Sequence, residues 1–115
     1  MSSKRATTAA RSRHAYAPIF AALGDETRLS IVTKLCHETT QSIAQLTEGE
    51  KITRQAITKH LRVLEGAGLI RSARTGRETH ITLVPEPLNT ATEYLRRVSV
   101  QWDEALARLK LFVEK

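Results

Sequence analysis

Residues 53–62 combine side chains that can hydrogen-bond to nucleic-acid bases and phosphates. A glutamine can make two hydrogen bonds to adenine, a threonine can bond a base edge or touch a thymine methyl group, and lysine and arginine reach guanine or phosphate. On a helix with about 100° per residue, Ile57, Leu61 and Leu64 fall on one face and the polar side chains on the other. The predicted base readers are Gln55 and Thr58, and the predicted mixed base and phosphate contacts are Arg54, Lys59 and Arg62.

Two further residues of this segment have alternative roles. Thr53 is suited to cap the start of the helix and also joins the predicted set of contacts. His60 falls near the edge of the apolar face. A packed or boundary histidine is therefore at least as consistent with its position as a contact to DNA, and both roles stay open.

Positive charge is concentrated in the same part of the chain. The 115 residues carry a formal net charge of +6, from 18 Lys and Arg against 12 Asp and Glu. Residues 51–80 hold seven basic residues and two glutamates, whereas residues 14–50 hold two basic residues and five acidic ones. The balance favours a polyanionic partner. A charge run alone is also compatible with a solvated face.

Helix and turn signals place this segment within a series of short elements. The predicted elements are a first helix from Tyr16 to Leu23, a second capped by Asp25 and running to about His37, a third from Thr39 to Thr47, a fourth capped by Thr53 and ending at Gly66 or Gly68, and two strands, Leu69–Arg74 and Glu78–Val84. The side chains predicted to face inward from the second and third helices are Leu29, Val32, Leu35, Cys36, Ile43, Ala44 and Leu46.

A hairpin turn lies between the two predicted strands. Gly76 supplies its turn residue. The flanking side chains of Arg74 and Arg77 could lie along phosphates or enter a narrow minor groove, so both are predicted contacts.

The C-terminal segment has a heptad pattern. Apolar residues recur at alternating steps of 3 and 4 from Leu88 to Phe112, which is typical of a helix that pairs with another helix. Trp102 lies on this seam and should not face water in a small protein. The helix therefore packs on its own domain or on a second copy of the chain, and we favour the second copy. The seam comprises Leu88, Ala91, Leu95, Val98, Trp102, Ala105, Leu109 and Phe112.

Three motifs resemble those of the ArsR/SmtB family of bacterial repressors. Residues 22–29, ALGDETRL, resemble the opening motif of that family, and residues 57–70, ITKHLRVLEGAGLI, resemble its recognition helix and the entry to its wing. Residues 74–78, RTGRE, with Ile81 and Leu83, resemble its wing. The resemblance covers roughly residues 16–113. It implies a mostly α-helical winged helix-turn-helix with a small β-hairpin and a dimer formed through the terminal helices, so Tyr16 and Phe20 join the predicted dimer interface.

The resemblance also implies an organisation and a function. We expect residues 15–87 to form the DNA-binding domain and residues 88–115 to be a dimerisation helix of the same domain. The composition of the preceding residues, rich in Ser, Thr, Ala and Arg without an apolar period, separately predicts that residues 1–14 are a disordered basic arm. The expected function is sequence-specific binding of double-stranded DNA by a homodimeric repressor. Two recognition helices roughly 34 Å apart would read an inverted repeat. The alternative is a winged-helix module whose basic face binds an acidic protein.

Other classes of function find little support in the residues. Metal-sensing relatives use a cysteine pair where this chain has residues 41–44, QSIA, or histidines on the last helix, which has none after Leu88. We predict no metal and no cofactor, and the sequence identifies no inducer. The four histidines lie in four different segments, so we predict no enzyme. The single cysteine, Cys36, and the absence of long apolar runs indicate a reduced, cytoplasmic protein outside the membrane.

Overall fold

The computed structural model describes residues 14–114. Its elements in chain order are α1 (14–23), α2 (Glu26–His37), β1 (Thr40–Ser42), α3 (Ile43–Thr47), α4 (Arg54–Gly66), β2 (Ile70–Thr75), β3 (Glu78–Leu83) and α5 (Pro85–Glu114). A mostly helical chain with a small sheet and a long last helix confirms the predicted fold class. The predicted basic arm lies outside the described residues, apart from His14, which is part of α1.

Helix α2 begins at the predicted cap. The Asp25 carboxylate accepts the backbone N–H of Arg28 at 3.0 Å and so satisfies one of the free donors at the helix start. The buried face of α2 is formed by Ile31, Val32 and Leu35. The inward prediction was wrong for two residues: Leu29 is 49% exposed and Cys36 is also exposed. They are seven residues apart, so they share one side of the helix, next to its buried face.

The predicted third helix was wrong in its first half. Thr40, Gln41 and Ser42 form β1, an edge strand that pairs antiparallel with β3. The Ser42 hydroxyl then accepts the Gln45 N–H at 3.2 Å, while the Gln45 side chain accepts the Ser42 N–H at 2.8 Å. This reciprocal capping box starts α3 at Ile43. The later start leaves Ala44 exposed, although the sequence predicts it to face inward.

The hairpin is confirmed, and β1 extends it to three strands in the order β1-β3-β2. Thr75 lies opposite Glu78, so the connection consists of Gly76 and Arg77. Gly76 has a φ of 62°, a left-handed conformation that favours glycine. The tight turn therefore carries Arg77 at the tip of the wing.

One core joins the helices to the sheet. The apolar face of α4, with Ile57, Leu61 and Leu64, is buried as predicted. It belongs to a cluster with Leu35 of α2 and Ile81 of β3. Because this face is fixed in the core, the opposite face of α4 must point outward.

Helix α5 begins three residues earlier than predicted. Pro85 and Pro87 end the sheet and also form the first turn of α5, where a missing N–H costs no hydrogen bond. Ala91 packs in the core, whereas nearly all residues after Tyr94 are exposed. About twenty residues of helix, roughly 30 Å at 1.5 Å per residue, therefore extend beyond the core.

Candidate nucleic-acid interface

The outward face of α4 carries most of the predicted DNA contacts. Thr53 caps the helix, and its Oγ1 accepts the N–H of Ala56 at 3.1 Å. Within residues 14–114, none of the lysine and arginine side chains of α4 forms a salt bridge. The exposed polar residues of this face are Arg54, Gln55, Thr58, Lys59 and Arg62. Their donors and acceptors therefore face solvent and can meet a ligand.

The hydroxyl group of Thr58 already donates its one hydrogen bond within the protein. Its hydroxyl donates to the carbonyl of Arg54 at 2.8 Å, one turn earlier in the same helix. The hydroxyl oxygen can still accept a hydrogen bond, and the methyl group remains available. Contact with a thymine methyl group or with a base amino group fits this arrangement.

The structure brings the start of α4 and the wing together. Arg54 and Arg77 line one groove of about 390 Å³ between α3, α4 and the hairpin, with Ile52 and Ile57 also in its wall. Arg74 lies on β2 opposite Thr79, and its side chain is exposed. A phosphate backbone running past α4 would thus meet arginines from two separate elements.

His60 occupies the boundary position that the sequence left as an alternative. Its ring is half-buried, and its Nδ1 lies 3.1 Å from Nη1 of Arg28 and 3.7 Å from Oδ2 of Asp25. Both partners belong to the start of α2. His60 therefore points towards the helices behind α4 rather than along the outward face.

A polar cluster that the sequence did not reveal holds the turn before α4. The Ser30 hydroxyl donates to Oε1 of Glu50 at 2.6 Å, and Lys34 Nζ lies 3.3 Å from the same oxygen. Lys34 also donates to the carbonyl of Leu46 at 2.8 Å. The hydrogen bond from Ser30, with Lys34 as a smaller cause, holds the pKa of the Glu50 carboxyl below its ordinary value. These bonds tie α2 to the turn that precedes α4.

Replacing Glu50 with Gln should lower the thermal midpoint by a few degrees at neutral pH. A carboxylate whose pKa is lower in the folded protein stabilises the fold above its unfolded-state pKa and loses that contribution as the pH falls. The difference in Tm between the two proteins should therefore shrink as the pH falls below the ordinary glutamate pKa of about 4.3. Calorimetry across this range measures it. Glu48→Gln is the matched control, because Lys34 reaches only the backbone carbonyl of Glu48. An equal loss for both variants would contradict the prediction.

The first and last helices are joined by aromatic side chains. The Tyr16 and Tyr94 ring centroids are 4.8 Å apart, and those of Phe20 and Tyr94 are 5.8 Å apart. Arg97 Nη2 donates to the Tyr16 hydroxyl at 2.7 Å. Tyr16 and Phe20, which are predicted interface residues, thus pack on α5 of their own chain.

The heptad seam divides into a covered part and an open part. Leu88 packs against the core, and Ala91 is only 5% exposed. Beyond Tyr94, Trp102 is 63% and Phe112 79% exposed, while Ala105 is half-buried. The open seam comprises Leu95, Val98, Trp102, Ala105, Leu109 and Phe112.

Cys36 is a free, exposed thiol. Among residues 14–114, no group of three His, Cys, Asp or Glu side chains is placed to hold a metal ion. No helix in this part of the chain has the length and hydropathy needed to cross a bilayer.

Comparison with known proteins identifies the relatives of this fold. A family described as "Helix-turn-helix domain" matches residues 23–73. The Bacillus subtilis protein named "Uncharacterized HTH-type transcriptional regulator YuzN" is 43% identical over 76 residues, which cover 61% of this chain and 83% of that protein. The Bacillus subtilis "Arsenical resistance operon repressor" is 32% identical over 74 residues, 64% of this chain and 70% of that protein.

A solved structure agrees with these relatives in sequence and in fold. The "ArsR-like Transcriptional Regulator from Rhodococcus sp. RHA1" is 38% identical, with a TM-score of 0.70, and the match covers 86% of this chain and 92% of that one. The relatives, the matched helix-turn-helix and the wing lead to the same assignment. The chain belongs to the ArsR family of winged helix-turn-helix transcriptional regulators, which bind DNA and are not enzymes.

Proposed function

We propose that the protein is a homodimeric repressor that binds an inverted-repeat operator. The observation that carries the proposal is the open seam of α5. A row of large apolar side chains along a helix that extends beyond the core costs free energy in water, at about 25 cal/mol per Å² of apolar surface. A second copy of α5 offers the same heptad spacing and covers this seam without a further partner. The proposed division is a DNA-binding domain over residues 15–87 and a dimerisation helix over residues 88–115.

In a two-fold dimer, the outward faces of the two α4 helices can bind two half-sites of one operator. Two copies of α4 related by such an axis enter successive major grooves when they lie about one helical turn of DNA, roughly 34 Å, apart. We assign Gln55 and Thr58 to base edges and Arg54, Lys59 and Arg62 to bases and phosphates. Arg74 and Arg77 of the wing then lie on the flanking phosphates. Thr53 caps α4 with its hydroxyl, and His60 is half-buried behind the helix. These settings favour structural roles for the two residues.

Repression is supported by the relative that is itself an arsenical resistance operon repressor. A dimer seated on a promoter blocks polymerase without a further activity. The cytoplasm, where a bacterial regulator meets its promoter, is the proposed compartment. In vitro transcription from a promoter overlapping the preferred duplex tests the direction of control. We expect added protein to reduce the transcript, and an increase would contradict repression.

Replacing Arg77 with Ala should weaken binding to all duplexes about equally. Each phosphate contact contributes about 0.9 to the slope of log K against log salt, so a dimer that loses two such contacts should lose about 1.8. Fluorescence anisotropy at several salt concentrations measures both quantities. Arg96→Ala is the control, because it removes the same charge from α5, away from the wing. A wild-type slope in the Arg77 variant would remove this residue from the interface.

A further inference from the structure

One side chain of α2 links three helices behind the proposed DNA-binding face. Arg28 Nε donates to the carbonyl of Ala22 at 2.6 Å, and Nη2 reaches the carbonyl of Ala21 at 3.5 Å, both near the C-terminal end of α1. Its Nη1 lies 3.1 Å from Nδ1 of His60 on α4. The guanidinium group therefore bonds α1 and α4 at the same time.

The chemistry of this contact fixes the direction of the hydrogen bond. An arginine side chain carries donors only, so Nδ1 of His60 must be the acceptor. The neutral ring then carries its proton on Nε2. The Asp25 carboxylate caps α2 and lies 3.7 Å from the same ring nitrogen. Since both atoms are acceptors, Asp25 makes no hydrogen bond to Nδ1, and its negative charge instead attracts the guanidinium group of Arg28. The positive guanidinium also faces the free carbonyls at the end of α1, where the helix dipole favours a cation.

Helix α1 also packs against α5, the proposed dimerisation helix. Tyr16 and Phe20 of α1 pack on Tyr94 of α5, just before the open seam begins. A continuous path of contacts thus runs from α5 through α1, Arg28 and His60 to α4. Arg28 is half-buried and lies behind α4, so it acts on the outward face only through His60.

We propose that Arg28 is a positioning residue that, through His60, fixes the angle of α4 relative to the α1–α5 unit and so sets the half-site spacing that the dimer accepts. The inference rests on the proposed dimeric operator binding. Inserting one base pair between two half-sites rotates one of them by about 34° and moves it about 3.4 Å relative to the other. A rigidly held α4 rejects that change, whereas a loosely held α4 tolerates it.

The test compares wild type with Arg28→Lys and His60→Leu on operators of different spacing. Lysine keeps the charge, but its single ammonium group replaces a planar fork that spans acceptors on two helices. Leucine removes the acceptor on α4 and leaves Arg28 on the carbonyls of α1. For each protein, the affinity for the best spacing is divided by the affinity for a spacing one base pair longer. The salt slope and the thermal midpoint are measured alongside, with Arg96→Lys as the control.

We expect the spacing ratio to be about tenfold or more in wild type and in the control, and to fall towards one in both variants. The salt slope should stay unchanged, because no phosphate contact is lost. The double variant should lose no more discrimination than either single variant, since the two residues act through one contact. If Arg28→Lys does not fold, His60→Leu alone decides the test.

Three results would overturn the proposal. Variants that keep the wild-type ratio while their thermal midpoint falls would show that the contact is merely stabilising. A loss of affinity that is equal at all spacings, with an unchanged thermal midpoint, would show that Arg28 contacts DNA directly, and additive losses would show that the two residues act separately. A wild-type protein that binds as a monomer, with no preferred spacing, would instead refute the dimeric operator binding on which the inference rests.

Discussion

Replacing Trp102 with Glu is expected to convert the protein into monomers and to weaken operator binding at least about 100-fold. Trp102 lies in the middle of the open seam, so in the proposed dimer a carboxylate at this position would have to be buried. A monomer binds one half-site only, and it loses the gain in effective concentration that a second tethered domain provides. Sedimentation equilibrium measures the assembly, and titration of a full operator measures the affinity.

Val100→Glu is the matched control for this experiment. Val100 is 51% exposed, but it lies on the side of α5 opposite the seam. The same charge on the same helix should therefore leave the dimer and its affinity for the operator intact. A Trp102 variant that remains dimeric would refute the proposed interface. Monomers in both variants would point to a broader loss of the helix.

Replacing Gln55 with Ala is expected to remove the preference for one base pair in each half-site. A good two-bond contact to a base contributes about 1–3 kcal/mol of discrimination, and the dimer makes the contact twice. Binding to random duplexes should change little, because Gln55 carries no charge and the affinity for such duplexes comes from phosphate contacts. Competition between the operator and single-base variants measures the preference.

The contrast with Arg77→Ala identifies the role of each residue. The arginine variant should lose affinity for every duplex, whereas the glutamine variant should lose it only for the operator. Gln101→Ala, on exposed α5, tests whether removal of any surface glutamine has an effect. If Gln55→Ala and Arg77→Ala weakened operator and random DNA in the same proportion, Gln55 would not be a base reader.

The elements that present the interface could be predicted because their signals are local. The Thr53 cap and the apolar spacing of Ile57, Leu61 and Leu64 define α4 from consecutive residues. Gly76 defines the wing turn in the same way, since the left-handed conformation of this turn favours glycine. The predicted outward residues of α4 are therefore exposed in the structure.

The features that the sequence predicted wrongly or missed depend on residues that are distant along the chain. Residues 40–42 become a strand because β3, about forty residues later, provides the partner. The side of α2 that carries Leu29 and Cys36 depends on how that helix sits against α4 and β3, which its own periodicity does not fix. The contacts of Arg28 with His60 and of Ser30 with Glu50 join polar residues 32 and 20 positions apart. No spacing rule links such pairs.

Selection of bound duplexes from a random DNA pool, with the purified full chain at physiological salt, shows whether the protein binds an inverted-repeat operator as a dimer. A dimer with one α4 in each of two successive major grooves predicts an enriched inverted repeat whose half-site centres lie about 10 base pairs apart. Enrichment of a single half-site would contradict the dimeric arrangement. A folded, dimeric protein that enriches no sequence would contradict specific operator binding and favour a winged helix whose basic face binds an acidic protein.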